Sequence, residues 1–93
     1  VTLYPIREAS ETVSYGEDID IQAIVSPARI EEVLIEPGYI INDYLTIHVF
    51  APIRHHDKIR RKGVDYEILG IQEFGFQGET AYRKAFCRRL LGA

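Results

Sequence analysis

Apolar and polar residues alternate with a period of two along much of this chain, the pattern of strands that bury one face. Ile19, Ile21, Ala23 and Val25 alternate with Asp20 and Gln22, which predicts a strand. From Tyr39 to Phe50 the pattern is again β-rich. Leu45, Ile47 and Val49 share one face, while Tyr44, Thr46, His48 and Phe50 share the other, so a strand apolar on both sides is expected at the centre of a sheet. Between Asp57 and Ile71 two short strands flank a charged glycine turn. Ile59 faces inward before Lys62-Gly63, and Val64, Tyr66 and Ile68 alternate with Asp65 and Glu67 after it.

Other stretches are less regular. Thr2-Leu3-Tyr4-Pro5-Ile6 alternates weakly and contains a proline that cannot donate to a ladder, so it reads as a mobile arm or an edge strand. A polar stretch follows, with residues 14–18 as a turn. Ser26-Pro27 has the form of a helix N-cap followed by proline, and Ile30, Val33 and Leu34 recur at helical spacing until Pro37-Gly38 stops the pattern. That segment is either a short helix or an extended loop carrying Leu34 and Ile35 into the core. Phe74-Gly75-Phe76-Gln77-Gly78 reads as a loop with two aromatics at a glycine-rich tip. In residues 80–91, Tyr82, Phe86 and Leu90 fit both a helix face and one side of a strand, and closure of a hairpin after the loop favours the strand. These elements predict a mainly β fold, a small SH3-like or related β-barrel with a short inserted helix or long loop. Residues 1–18 form an arm and turn, and residues 19–93 a single barrel domain with its insertion at 26–38.

Ninety-three residues suffice for one modest core. The lone Cys87 has no partner for an internal disulfide, no Cys/His spacing suits structural zinc, and the chain reads as made for a reducing compartment. No apolar run approaches the ~18 residues of a membrane span, and no basic-then-apolar leader opens the sequence, so a soluble, unsecreted protein is expected. Charge divides unevenly. Residues 1–47 hold nine acids and two bases (net −7), and residues 48–93 hold five acids and nine bases (net +4). The two halves can neutralise one another within one barrel, meet between copies in a head-to-tail ring, or leave a basic surface for nucleic acid.

Candidate chemistry is sparse. His55-His56-Asp57, with His48 upstream, contains metal-ligand types, but adjacent side chains on extended backbone diverge, and the neighbouring Arg54, Lys58, Arg60, Arg61 and Lys62 oppose a cation; a solvated turn is preferred. The same bases, with Arg83, Lys84, Arg88 and Arg89, could meet phosphates, although a sequence pI near 5.5 argues against an independent nucleic-acid module. No nucleophile elbow, phosphate loop or metalloprotease pair is present, and Cys87 between Phe86 and Arg88 reads as a packing residue. Neither an enzyme nor a bound cofactor or metal is expected. The interface candidates are Leu3, Tyr4, Phe74 and Phe76, with Arg54, Arg60, Arg61 and Lys62 as interface cations. The alternative for Phe74 and Phe76 is that they fold back to cap an open barrel end.

Glu36-Pro37-Gly38, a following strand, and then Asp57-x-Ile59-x-x-x-Gly63-x-x-Tyr66-x-Ile68-x-x-Ile71 resemble the head-completion, or stopper, proteins of tailed bacteriophages and related viruses, over roughly residues 19–90. The resemblance implies a small barrel with an inserted helix or loop. It also implies a ring of identical subunits in the virion, assembled in the host cytoplasm, which joins the portal or its adaptor to tail-completion proteins and helps retain packaged DNA. The same likeness allows non-specific contact with that DNA, while the absence of long apolar runs leaves no contact with membrane expected. Tail-completion or terminator proteins share size and ring assembly, and a small nucleic-acid-binding barrel is the competitor from another class.

Overall fold

The alternating segments pair as antiparallel strands. A computed structural model describes residues 1–8, 13–16, 18–76 and 78–90, and gives the backbone alone for Arg7, Glu8, Val13, Ser14, Tyr15, Phe76 and Thr80. The strands are β1 (Thr2–Tyr4), β2 (Ile6–Glu8), β3 (Val13–Tyr15), β4 (Ile19–Asp20), β5 (Ala23–Pro27), β6 (Tyr44–Val49), β7 (Lys58–Arg61), β8 (Val64–Phe76) and β9 (Glu79–Arg89). Seven of them form one curled sheet in the order β4-β1-β7-β8-β9-β6-β5, a half-barrel, while β2 and β3 pair separately.

Chain continuity draws the two edges of the curled sheet together. Residues 19–21 bond to β1, extended by reciprocal bonds between Val1 and Ile21 (3.0 and 3.3 Å). From Ala23 the same chain bonds to β6 instead. The predicted strand at Ile19–Val25 is therefore two short strands on opposite edges. Leu3, Leu45, Ile47, Val49, Ile53, Ile59, Ile68, Ala85 and Cys87 fill the concave face.

Two sequence details acquire causes. Arg61 pairs with Val64 across Lys62 (φ 52°) and Gly63 (φ 77°), a two-residue turn with both central residues left-handed, whose twist matches that of the strands it joins. In β8, the pairing shifts register between Ile68 and Gly70, so the bulge makes Ile71 rather than Gly70 the next inward residue and explains the odd spacing Ile68-x-x-Ile71.

Three expectations are corrected. No helix occupies 26–38: Ser26 and Pro27 end β5 opposite Thr46 and Leu45, and a long loop with turns at 30–32 and at Pro37-Gly38 follows. Leu34 is 88% exposed, so the loop does not carry it into the core either. Of the arm and the edge strand left open for residues 2–6, the strand is found, inside the main sheet rather than at its edge. β1 lies between β4 and β7 in the main sheet, Leu3 is 3% exposed in the core, and Val13–Tyr15, expected within a polar turn region, pairs with Ile6–Glu8. The stretch at 80–91 is a strand to Arg89, as hairpin closure requires.

Candidate functional site

The convex face of β6, β9 and β8 carries a row of aromatic rings. Register places His48 opposite Lys84 and Phe74 opposite Tyr82, and Phe50, one residue beyond β6, continues the row next to Tyr82. Phe74 stacks on Tyr82 (centroids 4.8 Å apart, planes 9° apart), and Phe50 meets the same ring edge-on at 6.5 Å, with His48 at 6.1 Å. Cross-strand aromatic pairs of this kind hold one another in place on a rigid platform. Phe50 is nevertheless 76% exposed. Ile24, opposite His48 on β5 and 70% exposed, extends the apolar surface towards the sheet edge.

The remainder of this face is covered by the loop between β5 and β6. Glu32 bonds to Lys84 and Glu36 to Arg88, both on β9, while Arg88 lies 4.5 Å over the Tyr39 ring, which packs edge-on against Tyr44. The Tyr44 hydroxyl accepts from the Glu36 amide at 3.0 Å and donates to the Leu34 carbonyl at 3.5 Å. Asp43 adds a contact to Arg89 at 3.9 Å. The Lys84 ammonium holds the Glu32 carboxyl below its ordinary range. The loop stops short of the row, so Phe50 stays bare.

The interface candidates from the sequence do not form one site. Phe74 belongs to the aromatic row; the backbone of Phe76 pairs with Glu79 near the hairpin tip, and its side chain is outside the described residues. Leu3 is core, so it offers no surface. Tyr4 is half-buried beneath Lys58 (4.5 Å) and Arg60 (5.0 Å). Arg60 binds Asp65 through two nitrogens at 2.7 and 3.2 Å and the Tyr4 hydroxyl at 3.0 Å, and its guanidinium keeps Asp65 below the usual carboxylate range. Arg54 donates to the Ile6 carbonyl at 2.7 Å. Arg61 and Lys62 stand at the β7–β8 turn without a carboxylate partner among the described residues.

Asp57, expected in a solvated turn, is also corrected. It is 2% exposed and binds the backbone amides of Ile6 and Arg54, each at 2.8 Å. His55 and His56 stay exposed, and His56 Nδ1 lies 2.8 Å from Glu67 Oε2. Cys87 is buried among apolar neighbours, which pushes its thiol up to about 12 and leaves it a poor nucleophile. Sequence reasoning missed Phe50 and Tyr82. Their signal is an aromatic at each end of an outward-facing pattern, meaningful only once the register sets them side by side. No family model, curated protein or solved structure matches this chain.

Proposed function

We propose that this protein is a structural assembly subunit of a tailed-virus neck, forming a ring between portal or adaptor and tail-completion proteins and helping to retain packaged DNA. The resemblance of residues 19–90 to head-completion proteins motivates the reading. The observation that carries it furthest is the preordered, solvent-facing row Phe50–Tyr82–Phe74. Rings already fixed against one another lose little side-chain freedom on docking, and covering a ring as exposed as Phe50 contributes on the order of 2 kcal/mol.

The test is mass by light scattering of the chain alone and mixed with purified portal–adaptor complexes and tails, at low and high salt, beside a duplex-DNA binding control. A ring or complex of defined mass is expected, and the Phe50→Ser/Phe74→Ser variant should lose it while keeping the parent circular dichroism spectrum. A persistent monomer that binds DNA tightly and salt-sensitively would overturn the proposal in favour of a nucleic-acid-binding barrel.

A further inference from the structure

The edge of β5 that faces away from β6 borders a groove along the open seam of the half-barrel. Beyond Ile21 the chain leaves β1, and no backbone partner takes up that edge of Ala23–Pro27 among the described residues. Across the gap stands the β7–β8 turn. Two adjoining cavities fill the space. One, of about 650 Å³, is lined by Ala23 and Val25 on one side and Arg60, Arg61, Lys62 and Gly63 on the other, and the second, of about 290 Å³, has Val25, Leu45 and Tyr66 as its apolar wall. Val25 and Arg61 line both, so the groove is continuous.

Its charge is cationic. Arg60 is held by Asp65, but among the described residues Arg61 and Lys62 have no carboxylate partner, and Asp20 is the one acid on the groove wall. An unpaired strand edge offers every second N–H and C=O to another chain, and proteins that do not use such an edge blunt it. Pro27 blunts the end of β5, but Ala23–Ser26 retain their amides.

We propose that this seam binds an extended, acidic segment of a partner protein, added as a strand to the free edge of β5. Its backbone pairs with Ala23–Ser26, an apolar side chain enters the cavity walled by Val25, Leu45 and Tyr66, and its carboxylates meet Arg61 and Lys62. Main-chain bonds supply affinity, and the two cations supply the preference for acid. The groove is separate from the aromatic row, so the two surfaces can fail or hold independently.

The probe is a dye-labelled ten-residue peptide of alternating valine and glutamate, followed by fluorescence anisotropy and by amide chemical shifts of the whole chain. Two counterparts accompany it, one with lysine for glutamate and one N-methylated at alternate residues. The acidic peptide is expected to bind at least tenfold tighter than either counterpart, to shift the amides of Ala23–Ser26, and to weaken several-fold between 50 and 500 mM salt, an order-of-magnitude expectation for two screened charge contacts. Arg61→Gln with Lys62→Asn should weaken it about tenfold, asparagine being chosen because it tolerates the left-handed turn position. The methylated peptide tests the strand pairing without any change to the protein. Equal binding of the three peptides, shifts confined to Phe50, Phe74 and Tyr82, association of two copies through β5, or oligothymidine binding at Arg61 and Lys62 in place of the peptide would each overturn the proposal.

Discussion

Replacing Asp57 by alanine should destabilise the fold by about 3–5 kcal/mol. The carboxylate is 2% exposed and divides its oxygens between two backbone donors, Oδ1 accepting from Ile6 and Oδ2 from Arg54, both at 2.8 Å. Arg54 reaches back to the Ile6 carbonyl at 2.7 Å, so one carboxylate and one guanidinium fasten the start of β2 to the segment leading into β7. Alanine removes both acceptors together. A hydrogen bond to a charged group contributes roughly 1.5–3 kcal/mol, and both amides are only part-buried, so water recovers some of the loss; the lower part of the two-bond range results. A domain of this size has about 5–15 kcal/mol in total, and each kcal/mol moves the melting temperature by roughly 4–8 °C, so a fall of at least ~12 °C is expected. The Asp57→Asn change keeps one acceptor and turns a donor towards the other amide, which places that variant between parent and alanine. Urea unfolding followed by circular dichroism gives the free energies, and hydrogen exchange at Ile6 and Arg54 reports the two bonds directly. A cost below about 1 kcal/mol, or parental protection of those two amides in Asp57→Ala, would refute the reasoning.

Thr46 is 2% exposed, and its hydroxyl lacks a hydrogen-bond partner among the described residues, so Thr46→Val should raise stability by about 1 kcal/mol in thermal or urea unfolding; a loss would mean that the hydroxyl is bonded after all. Asp65 is held below its ordinary range by Arg60, so its contribution is present above the unfolded-state value near pH 4 and disappears as pH falls through the lower folded value. The difference in urea midpoint between pH 6 and pH 3 should therefore shrink in Arg60→Gln, and an unchanged difference would discount the pair. The Cys87 thiol, raised to about 12 by burial, should resist a disulfide reagent at pH 8 in the folded chain and react promptly in urea. Its raised value also means that stability declines above about pH 9, where the unfolded chain loses the proton and the folded chain keeps it.

Where a residue's environment follows from its near neighbours in sequence, the pattern is sufficient to place it. Leu45, Ile47 and Val49 are core because alternation puts them there, and Lys62-Gly63 is a turn because the glycine relaxes readily with positive φ. Between the helix and the loop left open for 26–38, the helix fails for the opposite reason. Its apolar spacing is local, but the forces on the loop come from far along the chain, through Glu32 to Lys84 and Glu36 to Arg88. Asp57 is a similar case. An aspartate between histidine and lysine reads as solvated until a strand some fifty residues earlier brings it the Ile6 amide. The aromatic row lies between the two cases, since each ring is visible in the sequence and only the register β6-β9-β8 makes them one surface.

The same long-range pairing bears on which class of partner the surface suits. Charge segregates along the chain, acidic first and basic second, yet Glu32 and Glu36 of the first half meet Lys84 and Arg88 of the second on one sheet face, and Asp43 meets Arg89. Lys58 and Arg60 meet Asp65, and Arg83 meets Glu73 at 3.4 Å. Binding to a polyanion draws its affinity from counterions released as cations approach phosphates, and a cation already facing a carboxylate must break that pair first. Arg60, Lys84 and Arg88 thus contribute less to phosphate binding than their number suggests. The uncovered aromatic row has no such internal competitor. A partner that buries Phe50 gains the transfer free energy of the ring surface still exposed, and such docking should persist at salt concentrations that abolish nucleic-acid contacts, because burial of apolar surface is unscreened.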